Sequence, residues 1–336
     1  MLAKDVIRRV REIQVRTGRQ VADVLAGQYS SVFKGRGIEF DEVRPYVPGD
    51  EVRSIDWNVT ARTGEPYVKR YIEERQLNVM LLADVSASQD FGSKDRSKRE
   101  AAAELCALIA FSATFNDDKV GLTLFHGEIE KYIPARKGQK HALRVVREVL
   151  THGSGPNGAA PNGRGSGAMQ VRRLKRESNS WLSWIASRGR RRGSLTSARQ
   201  STHIAGAVEF LLSVAKRKSV CFVVSDFFDE NYIQSLRMAS RKHDVIAILL
   251  TDPRERELPN VGLVTLQDPE TGQLTMQDTS SRAMRESFEQ QSQQRLEVLE
   301  KEFRRSKIDF IHIDVSQSIV DPLAQFFRMR ERRARR

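Results

Sequence analysis

From Leu77 to Ala83 the chain is apolar except at Asn78, long enough for one strand covered on both faces, and the run stops at Asp84. A helical period follows over 96–115, with Ala101, Leu105, Leu108, Ile109 and Phe115 on one side. The alternation then repeats. Strand 120–125 and a short strand near 129–133 precede a helix at 139–150. Helix 203–216 leads to strand 219–225, which ends at Asp226, and helix 230–240 leads to strand 244–250. Short strands at 261–266 and 273–277 straddle the turn-prone Asp268–Gly272. A long helix over 280–306 feeds a last strand, 308–314, and a helix from Pro322. Strands alternating with helices predict an α/β fold with a mainly parallel, doubly wound sheet.

Upstream the period changes. Residues 3–16 and 20–27 have helical spacing, and turn signals at Lys34–Gly37, Pro48–Asp50 and Thr63–Gly64 separate β-prone pieces at Glu39–Arg44 and Tyr67–Glu73. Residues 1–76 are therefore expected to form a helical and β-rich region, 77–330 the α/β domain, and 331–336 a basic tail. Within the N-terminal region Trp57 is expected in the core. Arg44, Arg53 and Arg62 are expected to form a structural network with Asp41, Asp50 and Asp56.

The stretch 151–201 interrupts the domain. Its first half is rich in Gly, Pro and Asn and predicts a disordered loop, and a short amphipathic piece carries Trp181, Leu182, Trp184 and Ile185. Between His152 and Ser201 ten basic residues face a single acid, Glu177, so most of the formal net charge of +13 belongs to this insertion. The two cysteines, Cys106 and Cys221, lie in apolar runs and read as buried reduced thiols. No apolar run reaches the roughly 18–20 residues of a membrane span. The N-terminus lacks the unbroken apolar segment of a secretory signal, so a cytoplasmic protein is expected.

Three stretches place hard oxygen donors at the top of such a sheet: Asp84, Ser86 and Ser88; Ser201-Thr202 before a helix; and Asp226 after a strand. Mg²⁺ takes oxygen ligands in near-octahedral geometry and keeps positions for water or an outside oxygen. Two carboxylates with neutral hydroxyls leave such an ion under-neutralised and able to attract a partner's Asp or Glu. No nucleophile is needed.

In this order on alternating elements, Asp84, Ser86, Ser88, Thr202 and Asp226 resemble the metal-ion-dependent adhesion site of von Willebrand factor A domains. More narrowly, the chain resembles the bacterial domain-of-unknown-function family 58. The matching segments are 35–75 (GRGIEFDEVRPYVPGDEVRSIDWNVTARTGEPYVKRYIEER), the Asp84 stretch, Val223–Phe227 and Asp252–Pro259. The resemblance implies a von Willebrand A-like, Rossmann-like sheet. It also implies Mg²⁺ as cofactor, with Mn²⁺ or Ca²⁺ as alternatives and loss of the ion in degenerate members. The implied partner is a MoxR-type AAA+ ATPase, or its client, in protein maturation or stress response. The pattern departs from the family in two places: the long basic insertion precedes Thr202, and His203 follows it where an acid is common.

Enzyme signatures fail. A haloacid-dehalogenase-type pair needs a second Asp where Ser86 stands, and there is no G-x-x-x-x-G-K-[ST] or G-x-S-x-G run. The six histidines have no zinc spacing, and His126 and His312 at strand ends read as structural. The expectation is a non-enzymatic interaction module. The alternative is a nucleic-acid-associated protein that binds through the Arg-rich insertion and tail.

Overall fold

The computed structural model describes residues 39–72, 76–93, 96–151, 202–267 and 273–334. The expected helices at 3–16 and 20–27, and the basic insertion with Trp181 and Trp184, lie outside the described residues.

Six strands form the central sheet. They are β3 (Asn78–Asp84), β4 (Lys119–Phe125), β5 (Ile129–Arg136), β6 (Val220–Ser225), β7 (Asp244–Thr251) and β10 (Asp309–Asp314), in spatial order β10-β7-β6-β3-β4-β5. All neighbours are parallel except the edge pair β4–β5, which is antiparallel. The mixed α/β, mainly parallel expectation holds. Strand order reverses between β3 and β6, so the loops leaving those two strands diverge and open a crevice at their carboxyl ends. Asp84 closes β3, and Asp226 follows β6 directly.

Side chains of β3 alternate between two cores, as a strand period of two requires. Val79, Leu81 and Ala83 face helices α2 (Lys98–Phe115), α3 (Gln139–Thr151) and α7 (Val320–Ala334). Met80 and Leu82 face α4 (Ile204–Val214), α5 (Ile233–Lys242) and α6 (Arg282–Arg305). Helix α2 is buried from Lys98 to Ala113 except at Glu100, and its run of alanines lets it lie close to the sheet. Ser97 caps it. The Ser97 hydroxyl accepts from the Glu100 N–H, and the Glu100 carboxylate accepts from the Ser97 N–H, both at 3.2 Å. Gly121 on β4 is required by crowding, since a Cβ there would lie 2.7 Å from Met80 Sδ and 3.0 Å from the backbone of β5. Cys106 and Cys221 are buried free thiols, and burial pushes Cys106 up to about 12.

Outside this sheet, β1 (Glu39–Pro45) pairs antiparallel with β2 (Tyr67–Ile72), and β8 (Leu263–Gln267) pairs with β9 (Leu274–Asp278). Between β1 and β2 the chain forms a short helix, α1 (Trp57–Thr63), where only β-prone pieces were expected. Asp56 caps it by accepting from the Asn58 and Val59 N–H groups, and Gly64 ends it in the left-handed region at φ +83°.

Several expectations are corrected. Trp57, at the first position of α1, is 66% exposed rather than core, because a seven-residue helix has too little buried face to cover an indole. Phe115 is also exposed, since it ends α2 beyond the last covered turn. Of the proposed Arg–Asp network, Arg44 pairs with Asp50 at 2.6 Å, but Asp56 meets Lys69 at 3.3 Å and caps a helix. Helix α7 starts at Val320, two residues before Pro322. A proline is tolerated in that first turn because its missing N–H would have no helical acceptor.

Leu81 is fully buried at the centre of β3. Replacing Leu81 with Ala is expected to cost roughly 2–5 kcal/mol, read as a shift in the urea unfolding midpoint. A loss below about 1 kcal/mol would mean that the site can collapse and is not the packed centre.

Candidate docking site at the sheet crevice

The turn after β3 is a 3-10 turn, Ala87–Asp90, and it aims two hydroxyls back at the strand ends. The Ser86 N–H donates to Asp84 Oδ1 at 2.9 Å, and Ser86 Oγ lies 2.9 Å from Ser88 Oγ. Ser88 Oγ donates to Asp226 Oδ2 at 2.7 Å. Thr202 Oγ1 sits 3.5 Å from Asp84 Oδ2, a long contact. The described structure therefore brings together all five residues picked from the sequence, Asp84, Ser86, Ser88, Thr202 and Asp226. Ser201 lies outside the described residues. Asp84, Ser86, Thr202 and Asp226 are buried, and Ser88 is half-buried.

The loops carrying these groups are tied to one another. His203 offers no side-chain cap to α4, and Asp229, from the loop after β6, accepts from the Ile204 N–H instead at 2.7 Å. Phe227 has a left-handed backbone at φ +52°, uncommon for a bulky residue. Arg295 from α6 donates to the carbonyls of Asp226 (2.7 Å) and Phe227 (3.1 Å), with its guanidinium 3.6 Å from the centre of the Phe228 ring. Such strain persists only where its surroundings over-determine it.

Sequence reasoning missed the cation at the centre. Lys98, the first residue of α2, is fully buried, and its ammonium donates to Asp226 Oδ2 at 3.0 Å and to Glu255 Oε1 at 2.6 Å. Burial alone would pull this amine down, but the charges of Asp226 and Glu255 outweigh it and hold the lysine above its ordinary value. Glu255 is fixed by a second capping box after β7. The Asp252 N–H donates to Glu255 Oε2 at 2.9 Å, and Asp252 Oδ1 accepts from the Arg254 N–H at 2.8 Å. Asp252 also accepts from the Ser93 N–H at 2.8 Å and from the Ser93 hydroxyl. Ser225 was missed as well; its hydroxyl donates to Asp84 Oδ2 at 2.7 Å. Both capping boxes, Ser97-Lys98-Arg99-Glu100 and Asp252-Pro253-Arg254-Glu255, are legible as local motifs. Nothing local says that their side chains meet.

The two aspartates are driven apart. Burial and then the charge of Asp226 push Asp84 up to about 7, against the opposing hydrogen bonds from Ser225 and Ser86. Burial also pushes on Asp226, but the Lys98 charge, Ser88 and Arg295 overcome it and hold this carboxyl below its ordinary value. Among the described residues no three His, Cys, Asp or Glu side chains gather as a metal cluster, so the donor set here is two carboxylates with hydroxyls. The buried side-chain amide of Gln89, next to Ser88, has no hydrogen-bond partner among the described residues.

The model for the family described as "Protein of unknown function DUF58" matches residues 42–298. The chain belongs to this family. Among its relatives is "Uncharacterized protein Rv1480" of Mycobacterium tuberculosis, 31% identical over 264 residues that cover 78% of this chain and 70% of that protein. Another is "Uncharacterized protein YeaD" of Bacillus subtilis, 28% identical over 107 residues, or 32% of this chain and 25% of that one. Two solved structures align more loosely. BatB from Bacteroides thetaiotaomicron is 15% identical, with 76% of this chain and 99% of that one covered, at a TM-score of 0.42. An uncharacterized membrane spanning protein from Vibrio fischeri is 13% identical, with 76% and 96% covered, at a TM-score of 0.22. Scores this low carry no conclusion about this chain. Among its described residues no helix is long and apolar enough to cross a membrane.

The raised Asp84 has a consequence for stability. Below an ordinary carboxylate pKa both folded and unfolded chains hold the proton. Between about 4 and about 7 only the folded chain does, so its advantage shrinks as pH climbs through that window. Asp226, held low, has the opposite sign and loses its contribution as pH falls. In EDTA, the melting temperature of wild type minus that of Asp84→Asn is expected to fall as pH rises from about 4 to about 7 and then level off. A constant difference would show that Asp84 ionises normally.

Proposed function

We propose that this protein is a non-enzymatic docking module whose sheet-top site holds a divalent cation, Mg²⁺ in the first instance, and through it an acidic side chain of a partner. The observation that carries this reading is the convergence of Asp84, Ser86, Ser88, Thr202 and Asp226 at one crevice. The donor chemistry fits. The oxygens are hard, and a cation between the two carboxylates would offset both the burial and the repulsion from Asp226 that raise Asp84. An ion bound there supplies positive charge for an outside carboxylate. The strand order, with its single antiparallel edge strand, supports the von Willebrand A-like reading of the sheet.

The non-enzymatic reading draws on the state of Lys98. A lysine held protonated between two carboxylates is no general base for Ser88, so their proximity does not amount to a nucleophile pair. The proposed partner, from the family resemblance, is a MoxR-type AAA+ ATPase or its client, met in the cytoplasm in protein maturation or stress response. A second reading, nucleic-acid binding, draws on the ten basic residues set against Glu177 in the insertion.

The test is a nuclease-treated pull-down of the ATPase with wild type, Asp84→Ala and Asp226→Ala, in Mg²⁺ and in EDTA, with folding checked by circular dichroism. Wild type should retain the ATPase in Mg²⁺ only, and both folded variants should lose it. Equal retention by all three overturns metal-mediated docking. Salt-sensitive nucleic-acid binding that disappears on deletion of 152–200 would establish the second reading instead.

A further inference from the structure

We infer that Lys98 is a tethered counter-cation that competes with a divalent ion for Asp226 and thereby sets how tightly the site takes metal; this rests on the docking reading above. Three observations place the ammonium in that role. It is fully buried, so water does not screen it from the carboxylates. It shares Asp226 Oδ2 with the Ser88 hydroxyl, at 3.0 and 2.7 Å, so both lone pairs of that oxygen are taken by donors. An ion approaching Oδ2 has to displace one of them and lies beside a like charge in either case. Among the described residues Asp226 Oδ1, in contrast, accepts only a long 3.4 Å bond, from the Phe228 N–H.

The placement is rigid at both ends. Lys98 begins a helix fixed by the Ser97–Glu100 capping box, and Glu255 is fixed by Asp252 on a separate element. The amine is therefore no mobile surface lysine that strays into a carboxylate cluster. The site remains assembled without metal, because Lys98 already supplies the positive charge that Asp226 needs. With Lys98 neutralised, Asp226 would face the charges of Asp84 and of Glu255 with only that of Arg295 to oppose them, a field that favours a divalent ion.

The test titrates Mn²⁺ into the full chain by calorimetry, with metal-dependent melting as a parallel readout, for wild type, Lys98→Gln and Lys98→Gln/Asp84→Asn. Glutamine keeps length and donors but removes the charge. Lys98→Gln should bind Mn²⁺ roughly tenfold or more tightly than wild type. It should melt lower in EDTA, recover more of that loss on adding Mn²⁺ than wild type gains, and lose this response in the double variant. If Lys98→Gln does not fold in EDTA, Lys98→Gln/Glu255→Gln removes one orphaned charge and takes its place in the same comparison.

The outcomes separate the two ideas. Wild type binding Mn²⁺ and the charge-removed variant binding no tighter overturns the competition and leaves the docking reading standing. Binding by the variant alone supports Lys98 as the resident cation and overturns metal docking in the native chain. Binding by neither overturns both, and a Mn²⁺ response that survives Asp84→Asn places the ion elsewhere and overturns the inference.

Discussion

An ionised carboxylate shut away from water needs opposite charge and hydrogen bonds within reach, and Asp226 has both. Lys98 comes from the start of α2, Ser88 from the turn after β3, and Arg295 from α6, where it clamps the carbonyls of Asp226 and Phe227. These elements belong to both helical layers and to the sheet between them. The two apolar cores position the layers, but the crevice at their top is closed by charge. Loss of any one partner would leave a buried group unpaired, which costs more than the pair contributes when intact.

The contrast between Asp84 and Asp226 follows from the same constraint. They end adjacent strands and are the same residue type, yet their carboxyls are displaced in opposite directions. Asp226 has the ammonium. Asp84 is held by neutral donors, the Ser225 and Thr202 hydroxyls and the Ser86 N–H, and faces the charge of Asp226. Environment therefore assigns two roles to one side chain, one carboxylate kept charged and one poised to change state.

The period of apolar positions determined the strands of the central sheet, the helices that cover it and the residues where its strands end. A strand buried on both faces tolerates no charge along its length, so the first carboxylate after the run marks its exit, as at Asp84 and Asp226. Ser86 and Ser88 were legible for a related reason, since hydroxyls beside such an exit are placed by the backbone itself, whereas Thr202 was legible as a hydroxyl just before a helix. Phe115 was misread because periodicity assigns a face to a residue without saying whether anything covers that end of the helix, and Trp57 because a large aromatic is usually buried and here its short helix leaves it uncovered. Lys98 was invisible as a site residue. It sits in a capped, highly charged helix start that looks solvated, and its partners lie 128 and 157 residues away. Their meeting depends on strand order and on which helix crosses which strand end. Hydrophobic spacing encodes local shape and burial, whereas a charge pair is decided by which distant elements the sheet sets side by side.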